Sequence, residues 1–308
     1  DAKRIIRWVY AQQVLPTPGL ATAGGFRGGP FLGGEFAGRR PNSPFDAGHI
    51  AMTYTALALL VMLGDDLSGV DREATLALVR SLQDGRGAFA AFAGGESDMR
   101  FVFCAAAICT MLRDPDCATI DVERATAYVL ASQSYDAGIG LGPGMESHGG
   151  SMYTGLAALA LMGTLPRLPR VPELVQWCVG RQRGGFQGRP NKDEDTCYSF
   201  WIGASLQLLG AGGLTDAAAV SAFACRCEFG HGGIAKCAGN HPDVLHSYYA
   251  LCGLSLAGYG GLQPLDARLG ITQRASRAAG LLPEAGVGDA ACPPCDDDDE
   301  AAAARARW

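Results

Sequence analysis

Between Gly188 and Trp201 the chain reads Gly-Arg-Pro-Asn-Lys-Asp-Glu-Asp-Thr-Cys-Tyr-Ser-Phe-Trp. Two fixed cations, Arg189 and Lys192, precede a carboxylate and a thiol, Asp195 and Cys197. Arginine offers a planar fork to phosphate oxygens and lysine a point charge, so the first pair suits a diphosphate. Carboxylate, thiolate and imidazole are all good zinc ligands. With His246, Asp195 and Cys197 would make a three-ligand set that leaves the fourth position open for chemistry. The same residues also read as a helix cap, a core thiol and a capping imidazole, and spacing alone does not choose between the two. His148, followed by Gly149-Gly150, and Tyr198 would add donors to the anion, because paired glycines let a ligand approach the backbone. Lys236 could supply a charge where a magnesium ion would otherwise bridge a diphosphate; a solvated surface lysine is the plainer alternative.

A repeated unit must position these side chains. It recurs about every 45–60 residues: an amphipathic helix, a glutamine, a glycine-rich turn, then a more apolar helix. The turns are at 24–29, 85–89, 138–142, 184–186 and 232–234, and Gln13, Gln83, Gln133 and Gln182 precede the first four. The first helices are expected near 1–13, 71–83, 121–133, 171–182 and 215–226, with apolar residues at helical spacing. The second helices are expected near 46–63, 97–112, 148–163, 195–209 and 242–257, apolar on almost every face and therefore inner. Strand signals are weak. The pattern predicts an all-α fold with two concentric layers of helices, an α/α toroid. Parallel inner helices would aim His49, Arg100, His148, Asp195 with Cys197, and His246 at one mouth, beside five positive helix ends. Five pairs are visible, so a six-pair ring would lack its first pair, most simply the one before Asp1.

Composition sets limits on this reading. With 48% hydrophobic and 18% charged residues the chain can bury a large core. A net charge of −6 argues against a nucleic-acid surface, and no apolar run is long enough to span a membrane. The eleven cysteines are odd in number and mostly sit in apolar runs, as reduced thiols in a cytoplasmic protein do. Residues 1–280 are expected to form the toroid domain. Residues 281–308, with Cys292-Pro-Pro-Cys295 and the acidic run Asp296–Glu300, are expected to be a disordered tail.

Four segments resemble the β subunits of protein prenyltransferases: 188–201, Glu146-Ser-His-Gly-Gly150, Asp98-Met-Arg-Phe-Val102 and His241-Pro-Asp-Val-Leu-His246. Within that family His49-Ile-Ala-Met-Thr-Tyr-Thr55 and Asp195–Trp201 are most similar to the type I geranylgeranyltransferases. The resemblance implies a zinc ion, one per β subunit, on Asp195, Cys197 and His246, which binds the cysteine thiol of a C-terminal CaaX sequence. It implies that His148, Arg189, Lys192 and Tyr198 hold the diphosphate of geranylgeranyl diphosphate. Lys236 would stand in for magnesium, which is then not required. Trp201 and Tyr249 would line the isoprenoid. His49, Ala51, Arg100, Phe101 and Leu245, with Trp201, would line the peptide and favour Leu or Phe at its end. An obligate α subunit would complete a heterodimer, and substrates would be CaaX proteins such as small GTPases. The helix that sets isoprenoid length in the family would precede Asp1. Rival expectations are a farnesyl- or Rab-specific β subunit, a non-catalytic α/α ring, and a terpene cyclase; the last would want an acidic motif at the ring centre.

Overall fold

The computed structural model describes residues 1–16, 24–29 and 47–283. Residues 284–308, nearly all of the expected tail, lie outside the described residues, as does Asp46 at the start of the first expected inner helix.

Outer helices are α1 (Ala2–Tyr10), α3 (Arg72–Ser81), α5 (Val122–Ala131), α7 (Val171–Val179) and α9 (Ala217–Arg226). Inner helices are α2 (Ile50–Met62), α4 (Met99–Met111), α6 (Gly149–Leu161), α8 (Tyr198–Leu208) and α10 (Val244–Leu256). Every one is shorter than the sequence pattern suggests. The flanking polar residues are caps outside the helix: Asp71, Asp121 and Asp216 accept backbone amides at the starts of α3, α5 and α9. Asp195 is likewise not helical, since α8 begins at Tyr198 with Cys197 as its N-cap.

Each outer helix packs on the inner helix that follows it, and the inner helices pack in chain order from α2 to α10. A strand pair, β3 (Leu265–Asp266) with β4 (Ile271–Thr272), and a short helix α11 (Gln273–Ala278) then reach from α10 back to α2. A second strand pair, β1 (Phe89–Ala90) with β2 (Ser97–Asp98), leads into α4. The inner helices carry the core: in α4 eleven of thirteen residues are buried, including Phe101, Phe103 and Ile108. Burying such a side chain stabilises the fold by about 1.5–3 kcal/mol.

The repeat glutamines are clamps. Gln83 accepts from the Asp121 amide (2.7 Å) and donates to the Asp121 carbonyl (2.9 Å), and Gln182 does the same to Asp216 (3.0 and 2.8 Å). Gln13 accepts from the Asp71 amide (2.6 Å). Each therefore satisfies backbone groups at the cap of the next outer helix. The turn that follows needs glycine: at Gly87 (φ +92°) an added Cβ would fall 2.1 Å from the Arg124 carbonyl oxygen.

A second regularity orients the inner helices. The amides of Ile50, Met99, Gly149 and Thr196 donate to the carbonyls of Ala91, Leu141, Gly188 and Lys236, at 2.9, 2.9, 2.8 and 2.9 Å. Each bond joins the start of one inner helix to the loop of the next repeat. The N-termini of α2, α4, α6 and α8 therefore lie along one mouth, and the 3.4 Å approach of His246 to Asp195 brings that of α10 there too.

Candidate active site

The loop before α8 is folded by its own carboxylate. Glu194 Oε1 accepts from the amides of Gly184 (2.6 Å) and Gly185 (2.5 Å), which turns 184–194 back on itself. Thr196 then fastens this loop to the next repeat, donating from its amide to the Lys236 carbonyl and from Oγ1 to the Ala235 carbonyl at 2.9 Å each. Lys236 is thereby carried to Asp195, Nζ lying 3.8 Å from Oδ2.

One ligand atom from each of Asp195, Cys197 and His246 lies within 4.8 Å of the others. Asp195 and Cys197 are buried and His246 half-buried. His246 Nε2 lies 3.4 Å from Asp195 Oδ1, while its Nδ1 is 2.6 Å from Asp243 Oδ2. Asp243 also caps α10 by accepting the His246 amide at 2.9 Å. A carboxylate on Nδ1 fixes the tautomer and leaves the Nε2 lone pair aimed at the cluster, the usual outer partner of a metal-bound histidine. Burial, then the neighbouring Asp195 carboxylate, pushes the Cys197 thiol well above its ordinary range. A thiol in that setting ionises only beside a compensating cation. Donor chemistry, proximity and outer support all fit a metal ion.

Beside the cluster lies a cavity of about 410 Å³, lined among others by His148, Arg189, Lys192, Asp195, Tyr198 and Lys236. The expected anion ligands are therefore all brought together. His148 Nδ1 accepts from the Gly150 amide (3.0 Å), and its Nε2 is 2.8 Å from the Tyr198 hydroxyl. Burial, then Arg189, lowers the His148 pKa, which favours the neutral ring. With Nδ1 accepting, the proton resides on Nε2 and is donated to the Tyr198 oxygen. Tyr198 consequently keeps its own proton to donate, and burial followed by the Cys197 and Asp195 charges pushes its pKa up to about 12. Arg189 is hydrogen-bonded to Glu146, which lies outside the cavity lining.

The residues expected to line the peptide fall into two groups. The His49 ring lies 6.1 Å from Phe101, over which the Arg100 guanidinium sits at 5.1 Å while pairing with Asp98 and Glu96. Ala51 donates its amide to His49 Nδ1 at 3.2 Å. Leu245 is half exposed at the start of α10, next to His246. Phe92, 5.9 Å from His49 and 43% exposed, extends the first group and is missed by sequence reasoning. Trp201 and Tyr249 are 4.2 Å apart in an aromatic wall that continues through Phe200, Tyr153, Phe103 and Tyr54.

The floor of that wall is also outside the sequence expectations. The hydroxyls of Tyr54, Tyr153 and Tyr248 donate to the carbonyls of Leu269 (2.8 Å), Arg268 (3.5 Å) and Gly270. Three inner helices thus bind three successive carbonyls of one loop.

The sequence profile of the prenyltransferase alpha-alpha toroid domain matches residues 1–271. The chain belongs to the prenyltransferase α/α-toroid family. Over 298 residues this prenyltransferase chain is 41% identical to the geranylgeranyl transferase type-1 subunit beta of Arabidopsis thaliana, covering 88% of itself and 76% of that protein. It is 39% identical over 293 residues to the Dictyostelium discoideum protein of the same name, covering 90% and 82%. A chain of the Candida albicans protein geranylgeranyltransferase-I, solved in complex with GGPP, superposes with a TM-score of 0.78 at 22% identity, covering 91% of this chain and 84% of that one. That likeness establishes the toroid. Among the described residues no helix is long and apolar enough to cross a membrane, and all nine described cysteines are free thiols.

Proposed function

We propose that this chain is the catalytic β subunit of a zinc-dependent protein geranylgeranyltransferase of type I. It would transfer the geranylgeranyl group of geranylgeranyl diphosphate to the cysteine of C-terminal CaaX sequences ending in Leu or Phe. The observation that carries the reading is the Asp195–Cys197–His246 cluster standing beside the cationic cavity. The names of the Arabidopsis and Dictyostelium relatives supply the reaction class. The mixed sulfur, nitrogen and oxygen donor set is one that suits zinc.

Held by Asp195, Cys197 and His246, a zinc ion would supply the Lewis acidity that keeps a peptide thiol ionised at neutral pH. The remaining work falls to the chain's own groups. Arg189 and Lys192 bind the diphosphate, and Tyr198, held by His148, directs its free hydroxyl proton into the same cavity. As the C1–O bond breaks and the thiolate sulfur forms the thioether, negative charge grows on the leaving diphosphate. Fixed donors stabilise that charge without reorganising. Trp201 and Tyr249 offer apolar surface to the prenyl chain, and the groups around His49 and Leu245 receive the peptide end. The complete enzyme would be a heterodimer with an α subunit, in the cytoplasm, where free thiols persist.

Lys236 stands between the metal cluster and the anion cavity, so its ammonium can neutralise the diphosphate where magnesium otherwise would. Added magnesium should leave the wild-type rate unchanged, whereas Lys236→Asp should make transfer magnesium-stimulated. A magnesium requirement in wild type would overturn the type I reading. Asp243→Asn is expected to weaken zinc about 10–100-fold by loosening His246, measured by competition with a chromophoric chelator. Unchanged affinity would remove Asp243 from the site.

A further inference from the structure

Arg189 lines the anion cavity and pairs with Glu146, which stands outside the lining, and hydrogen bonds fasten the backbone on both sides. Glu146 sits in a loop segment held on both sides. An added Cβ at Gly140 would fall 2.6 Å from the Met145 carbonyl oxygen and 3.0 Å from that of Glu146, so the segment lies directly on that glycine. Ser147 Oγ donates to Asp136 Oδ1 (2.5 Å), and Trp177 Nε1 donates to Asp136 Oδ2 (2.9 Å). The His148 amide donates to the Ile139 carbonyl at 3.2 Å. Arg189 follows Gly188, whose carbonyl accepts the Gly149 amide at 2.8 Å. Segments 146–149 and 188–189 are thereby fastened together, and the Glu146 carboxylate reaches the guanidinium across that junction.

Three carboxylates line the cavity, Asp193, Glu194 and Asp195, and Arg189 pairs with none of them. Glu194 holds the Gly184 and Gly185 amides, and Asp195 faces His246 and Lys236. Glu146 therefore neutralises the cation best shaped to grip a phosphate. Both partners are well exposed, at 38% for Arg189 and 62% for Glu146, so an incoming anion can exchange with the carboxylate.

We infer that Glu146 is an exchangeable counter-ion for the diphosphate site. It occupies Arg189 when no anion is bound, yields it to the substrate diphosphate, and competes it back to help release inorganic diphosphate after transfer. This rests on the proposed diphosphate role of the cavity and adds a residue that tunes it. The carboxylate weakens diphosphate binding; it does not assist it.

The test is titration of inorganic diphosphate by calorimetry into the chain purified with an α subunit, as wild type, Glu146→Gln, Glu146→Ala and Arg189→Gln, with thermal melts to confirm folding. Both Glu146 variants should bind about two- to five-fold tighter, the range for releasing an exposed ion pair. The gain should shrink in 0.5 M salt, where charges are screened over a few ångströms. Product inhibition by diphosphate should strengthen in parallel. Equal or weaker binding by folded Glu146 variants overturns the inference and would make Glu146 a support for Arg189. If wild type and Arg189→Gln both fail to bind diphosphate, the assignment of the cavity falls, and the inference with it.

Discussion

Cys197→Ser should lose its stoichiometric zinc and reduce prenyl transfer by more than about 10²-fold, exceeding the 10–100-fold typical of outer partners. Cys197 lies in the buried cluster with Asp195 and His246, and its sulfur is the soft donor of the three. The surroundings resist a bare thiolate, since burial and Asp195 both raise its pKa. A serine hydroxyl ionises far less readily still, so the third anionic ligand is lost. The fold should survive, because serine is close to cysteine in size and Cys197 makes no side-chain capping bond that the change would break. Metal analysis and a thermal melt on the same sample separate the two effects. A variant that keeps one zinc and full rate would remove Cys197 from the site.

The second large effect concerns Tyr198. Tyr198→Phe deletes the hydroxyl that His148 holds, and transfer should slow by about 10²-fold, the lower end for loss of one preorganised donor, since Arg189 and Lys192 remain. Gly188→Ala should do similar harm without touching the hydroxyl. Its Cβ would fall 2.1 Å from the Tyr198 ring carbon Cζ, so the ring must leave His148. Overpacking of this kind also costs about 1–3 kcal/mol of stability, visible as a lower denaturant midpoint. Single-turnover rates at saturating donor isolate the chemical contribution. Full activity in Gly188→Ala would show that Tyr198 does not act from the position seen.

Much of this arrangement is written in local sequence. The repeat is legible because Gln13, Gln83, Gln133 and Gln182 each precede a glycine turn that only small residues can make, and because the inner helices are apolar on nearly every face. Convergence at one mouth follows from polar residues recurring at the inner N-termini. The sequence pattern overextends the helix ends for a local reason: caps such as Asp121 and Asp216 are polar neighbours of the periodic run and do not belong to the helix. The metal cluster joins His246 to residues fifty positions earlier, and no spacing rule links them; ring closure and family resemblance do.

Asp243 could have been found, since an acidic cap three residues before a histidine at a helix start places both on one turn. Glu146 could not, because its meaning depends on the register between 146–149 and 188–189. The same holds for Tyr54, Tyr153 and Tyr248. Their partners are carbonyls of a distant loop, and tyrosine at an inner-helix position reads equally as packing.

On the proposed reading, the metal cluster and the cation-lined cavity together perform geranylgeranyl transfer to Leu-ended CaaX sequences. A single four-way assay addresses it: the chain with an α subunit, geranylgeranyl or farnesyl diphosphate as donor, and a Leu-ended or Ser-ended CaaX peptide as acceptor, without magnesium. The geranylgeranyl donor with the Leu-ended peptide should give the highest kcat/KM. Preference for the farnesyl donor with the Ser-ended peptide, or no transfer in any combination, would contradict it.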